Sequence, residues 1–223
     1  MWYELRMGKI EILRLMAGFK KFREKYFAGT HPLYGRLNNI TGPGQSPKTL
    51  IIGCSDSRVD PAIITSASPG DLFIVRNVAN LVPPYEKGGK FHGVSSAIEF
   101  AVVNLKVENV IILGHRQCGG IRALMMNNVK DPGESFVNRW VSIAQDAKER
   151  VLAAHAGEDE DSLCRHGELE AIVTSLNNLK TFPFVKSAIE ERGLTVMGIY
   201  FDLELGHLLE FDDEARNFRS IEM

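Results

Sequence analysis

Apolar residues follow two rhythms along this chain, and the alternation between them predicts its fold. From Ile10 to Phe27, the residues Ile10, Leu13, Met16, Phe19, Phe22 and Tyr26 recur every three or four positions, the spacing of one helical face. Lys20, Lys21, Arg23 and Lys25 fill the opposite face. A basic amphipathic helix can lie on a membrane, but a stripe this regular is read here as a packing face for the protein itself or a partner subunit. From Tyr34 to Lys48 the pattern lapses into loop, with Gly42, Pro43 and Gly44 as breakers.

Beyond that point the rhythm shortens. Thr49 to Gly53, Leu72 to Val75, Val110 to Leu113 and Leu194 to Tyr200 are β-rich runs, and helical patterns cover Gly93 to Leu105, Glu134 to Ala154 and Leu163 to Leu179. Strands that alternate with helices imply a parallel sheet with crossover helices. The first and third runs are apolar throughout, as central strands covered on both faces must be. Near the end, Phe201 to Leu203 and Leu208 to Phe211 flank Glu204, Leu205, Gly206 and His207, which suits a hairpin with one edge left to protect or to pair. The expectation is an α/β fold: a mostly parallel central β-sheet with flanking helices, an N-terminal helical arm and a C-terminal β-hairpin. One domain spanning 1–223 is expected, with 1–30 as an arm packing on a partner subunit.

Composition narrows the partners. The 223 residues carry a formal charge of −2, too little basic excess for nucleic acid, so a small or neutral substrate fits better. Three cysteines argue against a disulfide framework and towards metal or catalytic thiols in a reducing compartment. The first residues lack a basic segment followed by an apolar core, and no run reaches the length of a membrane span. A soluble, cytoplasmic protein without membrane or nucleic-acid partners is expected.

The candidate chemistry sits where two of the apolar runs end. Cys54 closes one, in Gly53-Cys54-Ser55-Asp56-Ser57-Arg58; His115 and Cys118 close another, in Gly114-His115-Arg116-Gln117-Cys118-Gly119-Gly120. Open α/β sheets bind ligands at the carboxyl ends of their strands. Two thiols and an imidazole are a ligand set that zinc takes, and a catalytic zinc keeps its fourth position open. Either cysteine alone reads as an ordinary buried residue, and His115 alone as a satisfied core histidine; their joint placement favours the metal. Two thiolates leave zinc formally neutral, so a bound water needs help. Asp56 can accept a hydrogen bond from a zinc-bound hydroxide, and Arg58 can keep Asp56 ionised. Cys164 would complete a closed structural site, but it lies in a polar, helix-starting stretch and is read as ordinary. A phosphate-cradling loop is excluded, because Asp60 and Pro61 stand where it needs an arginine. The remaining histidines occur singly, and nothing selects a proton shuttle among them.

These two motifs resemble the β-class carbonic anhydrases. The resemblance extends over nearly the whole chain, through the Pro69 to Asn80 segment, the Gly93 to Leu105 helix and Asn178 to Val185. It implies one Zn2+ per subunit on Cys54, His115 and Cys118, with Asp56 and Arg58 as the catalytic dyad. It further implies reversible hydration of carbon dioxide to bicarbonate and a proton by attack of zinc-bound hydroxide. In the family, breaking the Asp–Arg pair lets the aspartate ligate zinc and closes the site. Gln45 matches a glutamine that hydrogen-bonds substrate in the open, plant-like subtype. Phe73 and Val78 match apolar residues lining the carbon dioxide pocket there, and the Gly119 amide completes it. The open subtype is therefore expected, in a homodimer or dimer of dimers. Two departures stand out: Phe100 replaces a pocket tyrosine, and Arg116-Gln117 replaces smaller residues. A relative hydrolysing carbonyl sulfide or carbon disulfide is the alternative, and a non-enzymatic zinc-binding or thiol redox module a more distant one.

Overall fold

The computed structural model describes residues 2–27, 44–88, 92–126 and 135–221, and these belong to two units, 1–46 and 47–223. In the first unit the helical stripe forms a single helix, α1 (Trp2–Phe27). Its apolar side chains Ile10, Leu13, Met16 and Phe19 are all exposed, at 58 to 64%. Most of the expected Tyr34 to Lys48 loop lies outside the described residues.

The second unit is built on a six-stranded sheet. Its elements run β1 (Thr49–Cys54), α2 (Pro61–Ile64), β2 (Leu72–Asn77), a 3-10 turn (Val78–Asn80), α3 (Gly93–Glu99) and β3 (Asn109–His115). Then come α4 (Gly119–Met126), α5 (Phe136–Val141), α6 (Gln145–Ala154), α7 (Glu160–Leu179) and α8 (Pro183–Arg192). The chain closes on β4 (Thr195–Asp202), β5 (His207–Asp212) and β6 (Asn217–Ser220). The strand order is β2-β1-β3-β4-β5-β6; the first four strands are parallel and the last two antiparallel. This is the expected mixed α/β architecture. The fully apolar runs β1 and β3 are indeed interior, and β2, less apolar, is an edge. The C-terminal hairpin forms between β4 and β5, and a third strand, β6, extends it into a meander.

Local chemistry sets the element boundaries. Helix α7 begins at Glu160, three residues before its apolar stripe, because the Asp159 side chain accepts the Ser162 N–H and caps the first turn. Asp60 caps α2 in the same way, with Pro61 behind it, where a missing N–H costs nothing. The Gly93 helix continues past Glu99 as a π-turn over Phe100–Asn104. Helices α4 and α8 were not expected: α4 follows directly on the motif of the second cysteine, and α8 starts on Pro183.

Two glycines let α7 settle close to the sheet. A Cβ on Gly114 of β3 would stand 2.6 Å from Ile172 Cδ1, and one on Gly198 of β4 2.7 Å from Ile172 Cγ2. Ile172 is fully buried there, with Leu50, Ile52, Val110 and Ile112. Close packing of this kind gains dispersion contacts that any gap forfeits. Cys54 and Cys118 lie in a second apolar cluster with Val59, Leu81, Ile121 and Met125. Among the described residues no helix is long and apolar enough to cross a membrane.

Candidate active site

Strands β1 and β3 are neighbours, and Gly53 pairs with Leu113, so Cys54 and His115 leave the same edge of the sheet. The turn after β3 brings Cys118 back to them. The Sγ atoms of Cys54 and Cys118 are 3.8 Å apart, and the ligand atoms of Cys54, His115 and Cys118 all lie within 4.8 Å of one another. All three residues are buried. The nitrogens of His115 are in different positions: Nδ1 is 2.8 Å from the Arg116 carbonyl oxygen, whereas Nε2 is buried with no hydrogen-bond partner. A carbonyl on Nδ1 fixes the tautomer that leaves the Nε2 lone pair free, the arrangement of a metal-ligating histidine.

The thiols want a cation too. The Cys118 hydrogen bond, helped by the His115 imidazole, pulls the Cys54 thiol down against its burial. Cys118 is pushed up, first by donating to Cys54, then by burial and by the neighbouring thiolate charge. Two such thiols cannot both ionise unaided, and a dication removes that conflict. An orphaned imidazole nitrogen between two frustrated thiols fits zinc.

Asp56 and Arg58 stand at the rim of this group. Asp56 Oδ1 accepts from the Arg58 backbone N–H and from Nε, both at 2.9 Å, and Oδ2 accepts from Nη2 at 2.7 Å. The Arg58 hydrogen bonds hold the Asp56 carboxyl well below the usual carboxylate range. Arg58 is braced in turn by Gln117, whose carbonyl and Oε1 accept from it at 3.1 and 3.3 Å. Gln117 has φ +58, a left-handed conformation that a non-glycine residue holds only when its surroundings require it. Its Nε2 is tied to Glu204 at 2.6 Å, and Arg116, buried, pairs with Asp161. Gln117 is thus a strut of the dyad, whereas Arg116 anchors the same turn to Asp161.

Two further residues hold the ligand loops, and neither figured among the sequence candidates. Arg76 donates to the carbonyl oxygens of Cys54 at 2.9 Å and Asp56 at 2.6 Å, and pairs with Asp60 at 3.1 Å. Glu168, buried on α7, accepts the Cys118 N–H at 2.9 Å and the Tyr200 O–H at 2.8 Å; burial pushes its acid up. Their signals were present but local: Arg76 closes an apolar run, and Glu168 falls on the Cys164–Ile172 face of a helix whose neighbours there are apolar. Cys164 is buried four residues before Glu168, outside the group of mutually close ligand atoms.

The remaining sequence candidates are dispersed. Val78, partly exposed, packs against the start of α4: a Cβ on Gly120 would meet Val78 Cγ1 at 2.7 Å. Gly119 is exposed, with open space where a side chain would stand. Phe73 pairs in register with Leu50, whereas Cys54 pairs with Asn77. Four residues of strand put Phe73 about 13 Å away along β2, where its ring contacts Phe100 at 5.9 Å. Gln45 is exposed and belongs to the first unit.

A parallel-to-antiparallel sheet with a Cys-His-Cys cluster at its carboxyl edge suits a metal-dependent enzyme, and comparison with known proteins makes the class specific. The model of the carbonic anhydrase family matches residues 49–208. A carbonic anhydrase of Synechocystis sp. is 35% identical over 205 residues, covering 92% of this chain and 73% of the relative. The structure of the β-carbonic anhydrase CcaA superposes with a TM-score of 0.85 at 33% identity, over 96% of this chain and 93% of that one. One of two tetrameric β-carbonic anhydrases from Sordaria macrospora gives 0.67 at 28% identity, over 92% and 95%. The chain belongs to the β class of the carbonic anhydrase family, whose reaction is the hydration of carbon dioxide.

Proposed function

We propose that this carbonic anhydrase works as an open-subtype β-class enzyme, with one zinc ion on Cys54 Sγ, His115 Nε2 and Cys118 Sγ. Zinc in such a set of three protein ligands supplies the Lewis acidity that brings water within reach of deprotonation near neutral pH. The observation that carries the open reading is the Asp56–Arg58 pair: both carboxylate oxygens are taken up by one guanidinium, and Asp56 stands outside the ligand group.

Held ionised, Asp56 would accept a hydrogen bond from the attacking oxygen, without taking its proton, and so turn a lone pair of that oxygen towards the carbon of the substrate. Val78 offers the apolar wall and the Gly119 amide a donor for the oxygen that gains charge. Gln45 donates to bicarbonate, a role taken from the family resemblance. Phe73 is too far along β2 to wall the site of its own chain, so its proposed place is in the pocket of a second copy. The exposed ring of Phe100 against it supports such pairing, as does the exposed stripe of α1. Copies of the chain are proposed to form a dimer, and the tetrameric relatives favour pairing of dimers. A single catalytic domain, an arm over 1–30 and a cytoplasmic setting complete the proposal. Hydrolysis of carbonyl sulfide or carbon disulfide, and a storage or redox role, have no finding in their favour.

Stopped-flow carbon dioxide hydration between about pH 6.5 and 9 tests this, since zinc-activated water titrates in that range. Fast hydration that persists at the acid end is expected, and activity confined to the alkaline end would defeat the open subtype. Asp56→Asn should keep its zinc and lose about 10- to 100-fold in turnover; unchanged turnover would remove Asp56 from the mechanism.

A further inference from the structure

A second group of metal-ligating side chains lies in the turn from α6 to α7. His155 closes α6, its N–H bonded to the Val151 carbonyl, and the chain turns through Gly157 at φ +93. Glu158 follows in the turn, and His166 stands on α7. His155 Nδ1 is 2.8 Å from Glu158 Oε1, and His166 Nε2 is 3.2 Å from Glu158 Oε2. The three ligand atoms lie within 4.8 Å of one another. We propose that His155, Glu158 and His166 form a second divalent-cation site, of the class that takes zinc or another borderline transition ion.

Geometry and donor type both support it. Zinc binds imidazole nitrogen and carboxylate oxygen at about 2.0–2.2 Å, so neighbouring ligand atoms around a tetrahedral ion stand about 3.3–3.6 Å apart. The two nitrogen–oxygen separations, 2.8 and 3.2 Å, need lengthen by no more than about half an ångström to reach that edge. Two nitrogens and a carboxylate suit a borderline cation better than calcium or magnesium, which prefer oxygen alone. The imidazole rings are stacked, with centroids 3.5 Å apart and planes 13° from parallel. One carboxylate thus faces both rings, with one oxygen turned to each. The rings must part to chelate an ion, and the side chains are free to do so, being 31% and 34% exposed.

A cavity of about 390 Å³ adjoins the group, lined in part by Arg150, Glu170 and Arg216. Arg150 is paired with Glu170 at 3.0 Å, and Arg216 shares Asp213, at 3.3 Å, with Lys180 at 2.8 Å. The remaining coordination positions would open towards this cavity. An ion there ties the end of α6 to the first turns of α7.

The test is equilibrium dialysis of the full chain against micromolar free zinc, with metal counted by mass spectrometry. Two zinc ions per chain are expected for the native protein, and one for His155→Ala and for Glu158→Gln, with carbon dioxide hydration unchanged in both. Cobalt(II) replacement separates the two sites. The cysteine site gives a thiolate charge-transfer band, and the second equivalent should add only weak ligand-field absorption that both variants lose. One ion per chain in the native protein would leave the cluster a hydrogen-bonded clasp and overturn the site. A second ion retained by both variants would overturn it equally, and loss of the thiolate band alone would strike at the catalytic site instead.

Discussion

Glu168 is expected to govern how firmly the second cysteine is held, and the hydrogen bonds around it give the size of the effect. Its carboxylate is the acceptor for two buried donors, the Cys118 N–H and the Tyr200 O–H. In Glu168→Leu both donors stay buried without an acceptor. At about 1–3 kcal/mol for each orphaned group, the gross loss is about 2–6 kcal/mol. Removing the carboxyl also removes its own burial cost, which burial has already expressed by raising its acid. The net loss should therefore fall in the lower half, about 2–4 kcal/mol, out of a total stability of about 5–15 kcal/mol. Glu168→Gln keeps an oxygen for Cys118 and offers Tyr200 an amide to accept from, so about 1 kcal/mol is expected. Urea unfolding of the zinc-free variants measures both. Chelator competition on the zinc-loaded forms should show Glu168→Leu giving up its metal about 10- to 100-fold more readily, the usual cost of losing support behind a ligand. Equal stability of the two variants would refute the hydrogen-bond account. Full zinc affinity in a destabilised Leu variant would separate Glu168 from the metal loop.

Two further outcomes follow from the same geometry. Because Arg58 holds Asp56 below its unfolded value, the pair stabilises the fold above about pH 4 and loses that contribution as the pH falls towards the folded pKa; the stability gap between native and Asp56→Asn chains should close in acid, and a gap that widens there would contradict the pairing. Gly114→Ala would set a methyl 2.6 Å from Ile172 Cδ1, an overpacking expected to cost about 1–3 kcal/mol in urea unfolding; a neutral outcome would show that α7 can lift without loss.

The sequence by itself determined which strands are interior and which strand ends Cys54 and His115 leave. Those features are local: a short apolar run rich in β-branched residues and bounded by turn signals suits a covered strand, and the residues that follow it emerge at its end. The Asp56–Arg58 pair was legible for the same reason, since two residues of separation leave little freedom. Tertiary structure decided the rest. It set Glu168 against the Cys118 amide from 50 residues away, because Gly114 and Gly198 let α7 descend onto the sheet. It turned Gln117 from an apparent departure into a support of the dyad and tied Arg116 to Asp161, and it carried Phe73 away from the ligands by register, although the motif places Phe73 and Val78 five residues apart. Such placements depend on helix-to-sheet distance and strand register, which are set by packing across the whole core and are encoded in no short segment.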